Sequence, residues 1–256
     1  SSSSSSSSSN SRSLSSLWPS WIKQCQGWKE QFVPLREFTW RSGDKVHPYL
    51  FIDRLSKHLK KSAVIVSANG TASVACFQAL QNKSGQRIVF NSGCASMGYG
   101  LPAAIGAAMA GKREVVCLEG DGSIMMNLQE LQTVKTLNLP LKIFIFNNHS
   151  YHSIYQTQHN FFGHHLTGCH PASGVEFPDY GKIGKAFGLK VISIGHNLDI
   201  DRQLTHVFAL PGPVLCELDC TMEYVFAPKL ASHRLPDGRM ISGRLEEMSP
   251  LIQDEE

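Results

Sequence analysis

Val115-Val116-Cys117-Leu118-Glu119-Gly120-Asp121-Gly122-Ser123, then Leu141-Lys142-Ile143-Phe144-Ile145-Phe146-Asn147-Asn148, decides the fold of this chain. Val115–Leu118 and Leu141–Phe146 are short, nearly continuous apolar runs, the pattern of strands buried on both faces of a sheet. The stretch Met126–Leu137 between them reads as a helix. Two parallel strands joined by one helix bring Asp121 and Asn148 side by side at the carboxyl ends of the sheet, where open α/β sheets bind ligands. A carboxylate plus an amide oxygen suits a hard octahedral cation such as Mg²⁺, which is commonly held by one or two carboxylates together with phosphates. Gly120 and Gly122 allow backbone N–H groups to approach a phosphate closely. An N-cap at Asp121 and an Asx turn at Asn147-Asn148 are the plainer roles of these residues. The pairing of the two segments favours a metal–diphosphate anchor.

The same alternation extends outward. Tyr49–Lys60 has helical spacing, Ala63–Ser67 reads as a strand, and Asn69-Gly70-Thr71 turns into a helix over Ser73–Gln81. Arg87–Phe90 is the next strand, followed by a Gly-rich loop and an Ala-rich helix, Leu101–Ala110. Further on, Pro178–Phe187 and Leu198–Leu210 read as helices, and Lys190–Ile194 and Val214–Leu218 as strands. Strands alternating with helices imply an α/β, doubly wound, mostly parallel sheet with helices on both faces. The expected organisation is a Ser-rich disordered tract (1–17), a linker or covering arm (18–47) with a helix over roughly 20–31, the binding domain (48–223) and a C-terminal arm (224–256).

Composition narrows the function class. A net charge of +3 without a basic run gives no argument for nucleic acid. The 42% hydrophobic content supports a core, and no apolar stretch is long enough to span a bilayer. Seven cysteines without a CxxC pair fit reduced thiols better than a disulfide framework. The Ser-rich start, with Arg12 and Lys23 and no acid before Glu30, has some of the composition of a transit peptide. It lacks the amphipathic Arg periodicity, so a cytoplasmic protein is expected. A nucleotide-binding Rossmann domain is disfavoured because no G-x-G-x-x-G follows the first strand. Six histidines between His149 and His170 raise the question of zinc, yet their spacing fits no standard template. Cys94 has no assignable base partner, and a nucleophilic role is rejected.

Gly120-Asp121-Gly122-Ser123 through Asn147-Asn148 resembles the motif of thiamine diphosphate (ThDP) enzymes. Met126-Asn127-Leu128-Gln129-Glu130-Leu131-Gln132-Thr133 and Asn138-Leu139-Pro140 resemble their acetolactate synthase branch. Gly93-Cys94-Ala95-Ser96-Met97-Gly98-Tyr99, Leu101-Pro102-Ala103-Ala104 and Arg234-Leu235-Pro236-Asp237-Gly238 extend the match over roughly residues 48–250. The resemblance implies ThDP and Mg²⁺ as cofactors. It also implies Asp121, the Asn148 side chain and the Ser150 carbonyl as metal ligands, and Gly122 and Ser123 as diphosphate donors. Met97 would support the bent cofactor, with the pyrimidine meeting Ala95 and Met97. Gly70, Thr71 and Ala72 would lie by the diphosphate, and His152 by the diphosphate or the substrate entrance.

In the resembled enzymes a glutamate from a separate pyrimidine-binding domain activates the cofactor across a dimer. Glu119 would sit at the diphosphate end, the wrong end of the cofactor. The expectation is therefore a diphosphate-binding half that needs its partner domain in trans or in a longer chain, and a homo-oligomer in that context. The implied reaction is decarboxylation of a 2-keto acid followed by carboligation. Tyr151 to Phe162 most resembles a subgroup linked to sugar pathways, although Tyr155 stands where an Arg is expected. Other ThDP decarboxylases, oxidases or lyases, and a non-catalytic cofactor-binding module, are the alternatives.

Overall fold

A computed structural model describes residues 18–31, 40–41, 43–111, 114–163, 165–230, 232–245 and 248–249. The Ser-rich tract 1–17 and most of 32–42 lie outside the described residues. Helix α1 spans Pro19–Gln31. The sheet domain then runs α2 (Pro48–His58), β1 (Val64–Ser67), α3 (Gly70–Ala79), β2 (Arg87–Phe90), α4 (Gly100–Met109) and β3 (Val115–Gly120). It continues with α5 (Asp121–Ile124), α6 (Leu131–Thr136), β4 (Leu141–Asn147), α7 (His152–Phe161), α8 (Tyr180–Ala186), β5 (Lys190–Ile194), α9 (Ile200–Ala209) and β6 (Val214–Asp219). The six strands form one parallel sheet in the order β2-β1-β3-β4-β6-β5. Beyond it, β7 (Lys229–Leu230) pairs with β10 (Met248–Ser249), and β8 (Ser232–Arg234) pairs with β9 (Met240–Ser242).

Alternate residues of each central strand feed opposite layers, as the two-residue period of a strand requires. Val116, Leu118, Phe144 and Phe146 join the layer of α2, α3 and α9. Val115, Cys117, Ile143 and Ile145 join the layer of α4, α6 and α8. Both faces are covered, which accounts for the unbroken apolar runs. Val46 is fully buried and bridges to Cys220, so packing reaches slightly N-terminal of α2.

Three readings of the sequence are corrected. Met126–Leu137 is not one helix: α5 precedes it, Leu128–Glu130 forms a 3₁₀ turn, and only Leu131–Thr136 is α-helical. Asn127 leaves the helical region (φ −138°, ψ 31°) and its side-chain amide donates to the Gly98 carbonyl at 2.7 Å. The break thus docks the Gly-rich loop. Helix α3 begins at Gly70 rather than Ser73, because Gly70 adopts a φ of +56° that lets the chain turn directly out of β1. Finally, α7 occupies a stretch for which the sequence suggested no helix; its residues are mostly polar, and only His152 and Gln156 are buried.

Phe51 on α2 is fully buried, with its ring edge-on to Phe146 at 5.5 Å and tilted on Phe144 at 5.3 Å. Phe51→Ala is expected to cost about 3–5 kcal/mol, as large aromatic truncations in close-packed cores do. Urea unfolding midpoints check this, and a loss below about 1 kcal/mol would contradict the packing described.

Candidate cofactor-anchoring site

Strands β3 and β4 pair in register from Val115↔Leu141 to Gly120↔Phe146. They therefore end level, and the chain leaves them at Asp121 and at Asn147-Asn148 in adjacent positions. β1 flanks β3 on the other side, and the chain order reverses between β1 and β3. That reversal is a topological switch point, the place where open parallel sheets leave a crevice. A cleft of about 300 Å³ lies there. Gly70 and Thr71 after β1, Gly120 to Ser123 after β3, and Asn148, Ser150 and His152 after β4 all line it, with Ala95 and Met97 from the Gly-rich loop. The one sequence-derived candidate not lining it is Ala72, whose methyl is fully buried in the α2/α3 layer. Only its backbone, in the first turn of α3, remains available.

The centre of the cleft is the Asp121 carboxylate, which is 3% exposed. Its Oδ1 accepts from the Gly122 N–H at 2.7 Å and its Oδ2 from the Asn148 N–H at 3.0 Å. Burial pushes Asp121 up to about 7, and the groups that oppose this shift are backbone N–H groups of Gly122, Ser150, His149 and Asn148. Asn147 and Asn148 both close Asx turns, accepting from His149 N–H at 3.2 Å and Ser150 N–H at 3.2 Å. His149 takes a φ of +58° to turn the chain back over the cleft.

Two glycines are required by contact. A Cβ on Gly122 would sit 2.2 Å from a Tyr151 ring carbon. A Cβ on Gly98, already at φ +78°, would meet the Met126 Cβ at 2.6 Å. Ser123 ties these segments together, its Oγ accepting from the Gly98 N–H at 3.0 Å.

Several contributors carry no local sequence signal. Asn69, Tyr151, Ser153 and Ile154 also line the cleft. Asn69 does not cap α3; its amide donates to the Ala95 carbonyl at 3.1 Å and braces that residue at φ +48°. Tyr151, at the head of α7, likewise makes no side-chain cap. Two helix N-termini, those of α3 and α7, thus meet the cleft with first-turn N–H groups that no side chain caps. Such groups attract anions. From below, the Tyr180 hydroxyl donates to the Asp121 carbonyl at 2.6 Å.

The match to known proteins now decides the family. Residues 68–218 match "Thiamine pyrophosphate enzyme, C-terminal TPP binding domain". The chain belongs to the thiamine pyrophosphate enzyme family. The acetolactate synthase large subunit of Pyropia yezoensis is 34% identical over 202 residues, covering 78% of this chain and 33% of that protein. Acetolactate synthase isozyme 2 large subunit of Escherichia coli (strain K12) is 32% identical over 193 residues, 73% of this chain and 35% of that protein. Acetolactate synthase 2, chloroplastic, of Nicotiana tabacum is 33% identical over 182 residues, 69% of this chain and 27% of that protein. The chain spans about a third of the length of these relatives.

The residues fit thiamine diphosphate with a divalent cation. A diphosphate suits the uncapped N-termini of α3 and α7, and a cation would supply the counter-charge that the buried Asp121, stabilised only by backbone N–H groups among the described residues, otherwise lacks. Glu119, by contrast, does not line the cleft. It is fully buried under α4, its Oε1 accepting from the Leu101 N–H at 2.9 Å, and burial raises it to about 7. His152 is 4% exposed and pushed down to about 4 by burial, so its imidazole is neutral at pH 7. Among the described residues no three His, Cys, Asp or Glu side chains group as a metal site; His164 lies outside them. No helix among the described residues is long and apolar enough to cross a membrane.

Asp121 gives a pH signature with a defined sign. A folded carboxyl raised from 3.8 to about 7 binds more protons than the unfolded chain does between those values. Its contribution to stability is complete below about 3.8 and is lost as pH rises through about 7. Without ligands, the difference in stability between Asp121→Asn and the parent should therefore shift in favour of the variant across this range, read from urea midpoints at each pH. A pH-independent difference would refute the assigned burial. Gly122→Ala should cost about 1–3 kcal/mol through collision with Tyr151, the usual scale of overpacking, visible as a lowered thermal midpoint.

Proposed function

We propose that this chain anchors thiamine diphosphate through Mg²⁺ and serves the decarboxylation of a 2-keto acid followed by carboligation, as an acetolactate synthase-like enzyme. The observation that carries the reading is the buried Asp121 carboxylate set between two uncapped helix N-termini at the switch point. Asp121, the Asn148 amide oxygen and the Ser150 carbonyl would hold the cation. Gly122, Ser123 and the first turns of α3 and α7 would bind the diphosphate, and Met97 and Ala95 would contact the remainder of the cofactor. When bound, the cofactor supplies a carbon nucleophile and an electron sink, and the protein supplies position and electrostatics. His152, neutral and enclosed, orients groups at the cleft wall without adding charge.

The activating glutamate is proposed to come from a pyrimidine-binding domain, either elsewhere in a full-length chain or on a partner chain of a homo-oligomer. Glu119 supports this division, since its carboxyl is engaged under α4 and does not line the cleft. The relatives' printed names favour acetolactate formation over the other ThDP reactions.

Addition of ThDP with Mg²⁺ should raise the thermal midpoint of the chain, by linkage of binding to folding. Asp121→Ala should abolish that rise, and the chain alone should turn over pyruvate negligibly. A parent chain indifferent to ThDP and Mg²⁺ would end the cofactor assignment; robust turnover without a partner would end the half-site assignment.

A further inference from the structure

Tyr224, five residues beyond the end of β6, is 6% exposed and reaches back into the anchor. Its hydroxyl lies 2.5 Å from Thr71 Oγ1, and the Asn148 Nδ2 lies 3.4 Å from each of these two oxygens. At the other end of the same amide, Oδ1 accepts from the Ser150 N–H at 3.2 Å and the Ser150 hydroxyl at 3.1 Å. A backbone N–H can only donate, so it fixes the oxygen end of the amide; the two hydroxyl oxygens receive the NH₂ end. An amide turned the other way would set its NH₂ against the Ser150 N–H.

Tyr224 is itself clamped. Its ring stacks on His152 at 4.4 Å, and its carbonyl accepts from Gln156 Nε2 at 2.7 Å. The same Gln156 NH₂ lies 2.9 Å from His152 Nε2. That ring nitrogen also lies 3.4 Å from the Tyr224 carbonyl, so imidazole, amide and carbonyl form one cluster. One turn of α7 thus grips the tyrosine by its face and its backbone, leaving the hydroxyl at the amide.

We propose that Tyr224 is a positioning residue for the cation site: with Thr71 it holds the Asn148 amide so that its oxygen, and not its nitrogen, is presented to a divalent cation. This rests on the metal–diphosphate reading given above. Partners in the second layer of a metal site orient its ligands, and their loss typically lowers metal affinity about 10–100-fold. The consequence is specific to the cation. Mg²⁺ demands near-ideal octahedral geometry, whereas Ca²⁺ accepts variable ligand number and angle.

The experiment is titration calorimetry of the full chain with MgCl₂ and, separately, CaCl₂, each at saturating ThDP, with ligand-free thermal midpoints recorded for every variant. For Tyr224→Phe, which keeps the ring on His152, Mg²⁺ affinity should fall about tenfold or more and Ca²⁺ affinity distinctly less, so that the Mg²⁺/Ca²⁺ ratio drops. Equal losses for both ions, or no loss, overturn the proposal, because a tyrosine that only packs would not change the ratio. If Tyr224→Phe does not fold, Thr71→Val, which removes the other hydroxyl at Nδ2, should lower the ratio in the same direction, and an unchanged ratio is again decisive against it. Asp121→Ala separates the two ideas. Binding by the parent that vanishes in Asp121→Ala but is unchanged in Tyr224→Phe overturns the role of Tyr224 alone, while a parent that binds neither ion overturns the metal reading as well.

Discussion

The site depends on one buried carboxylate. Asp121 directly follows Gly120, the last residue of β3 paired with β4, so it leaves the sheet at the switch-point crevice. Burying a carboxylate in such a place is costly unless donors or a cation meet it. The backbone answers with N–H groups of Gly122 and Asn148. The Asn148 bond stitches the end of β3 to the end of β4, so the geometry of the anchor is inherited from sheet register. The carboxyl remains raised to about 7 despite them. A positive ion at this carboxylate would offset the residual cost.

Around this carboxylate each supporting contact joins segments distant in the chain. Tyr180 reaches the Asp121 carbonyl across 59 positions and Tyr224 reaches Asn148 across 76. Ser123 accepts from Gly98 and Asn127 donates to it, so the Met97 loop is fastened to the same turn that carries Asp121. The Tyr224 carbonyl is held by α7, and the Ala227 N–H and the Pro228 carbonyl are tied to Tyr49 and Gln78 on α2 and α3. Displacing any one of these segments moves a neighbour in the cleft, which is how rigid supports fix the placement of ligating atoms.

This separation in sequence explains what could be read from the chain and what could not. The strands at Arg87–Phe90 and Lys190–Ile194 span the ranges read from the chain although they are the half-exposed edges of the sheet, because the alternation of strands with helices marks them as well as composition does. The Asp121–Asn148 pairing was legible because one β-α-β crossover carries both halves of it. Helix α7 was not, because only His152 and Gln156 are buried and no apolar period marks it. The break at Asn127 was equally hidden: the residue abandons helix for a bond to Gly98, a tertiary contact overriding local spacing. Tyr224 and Tyr180 are ordinary aromatic residues in sequence, and only the fold brings their hydroxyls to the anchor.

Glu119 shows why adjacency in sequence is a poor guide to chemical role. It precedes Asp121 by two positions and is raised to a similar pKa, yet strand alternation does not lead the two carboxyls to one task. Glu119 lies where a Cβ on Gly100 would touch its Oε1 at 2.3 Å, so the close approach of α4 to β3 is built around it. Its Oε1 accepts from the first turn of α4, and Ser123 and the backbone N–H groups of Leu101, Gly120 and Gly100 are the groups that oppose its upward shift. Its service is to seat α4, and with α4 the Gly98 loop that precedes it. The two acids therefore divide the work: Glu119 seats α4 behind the cleft, and Asp121 faces into it.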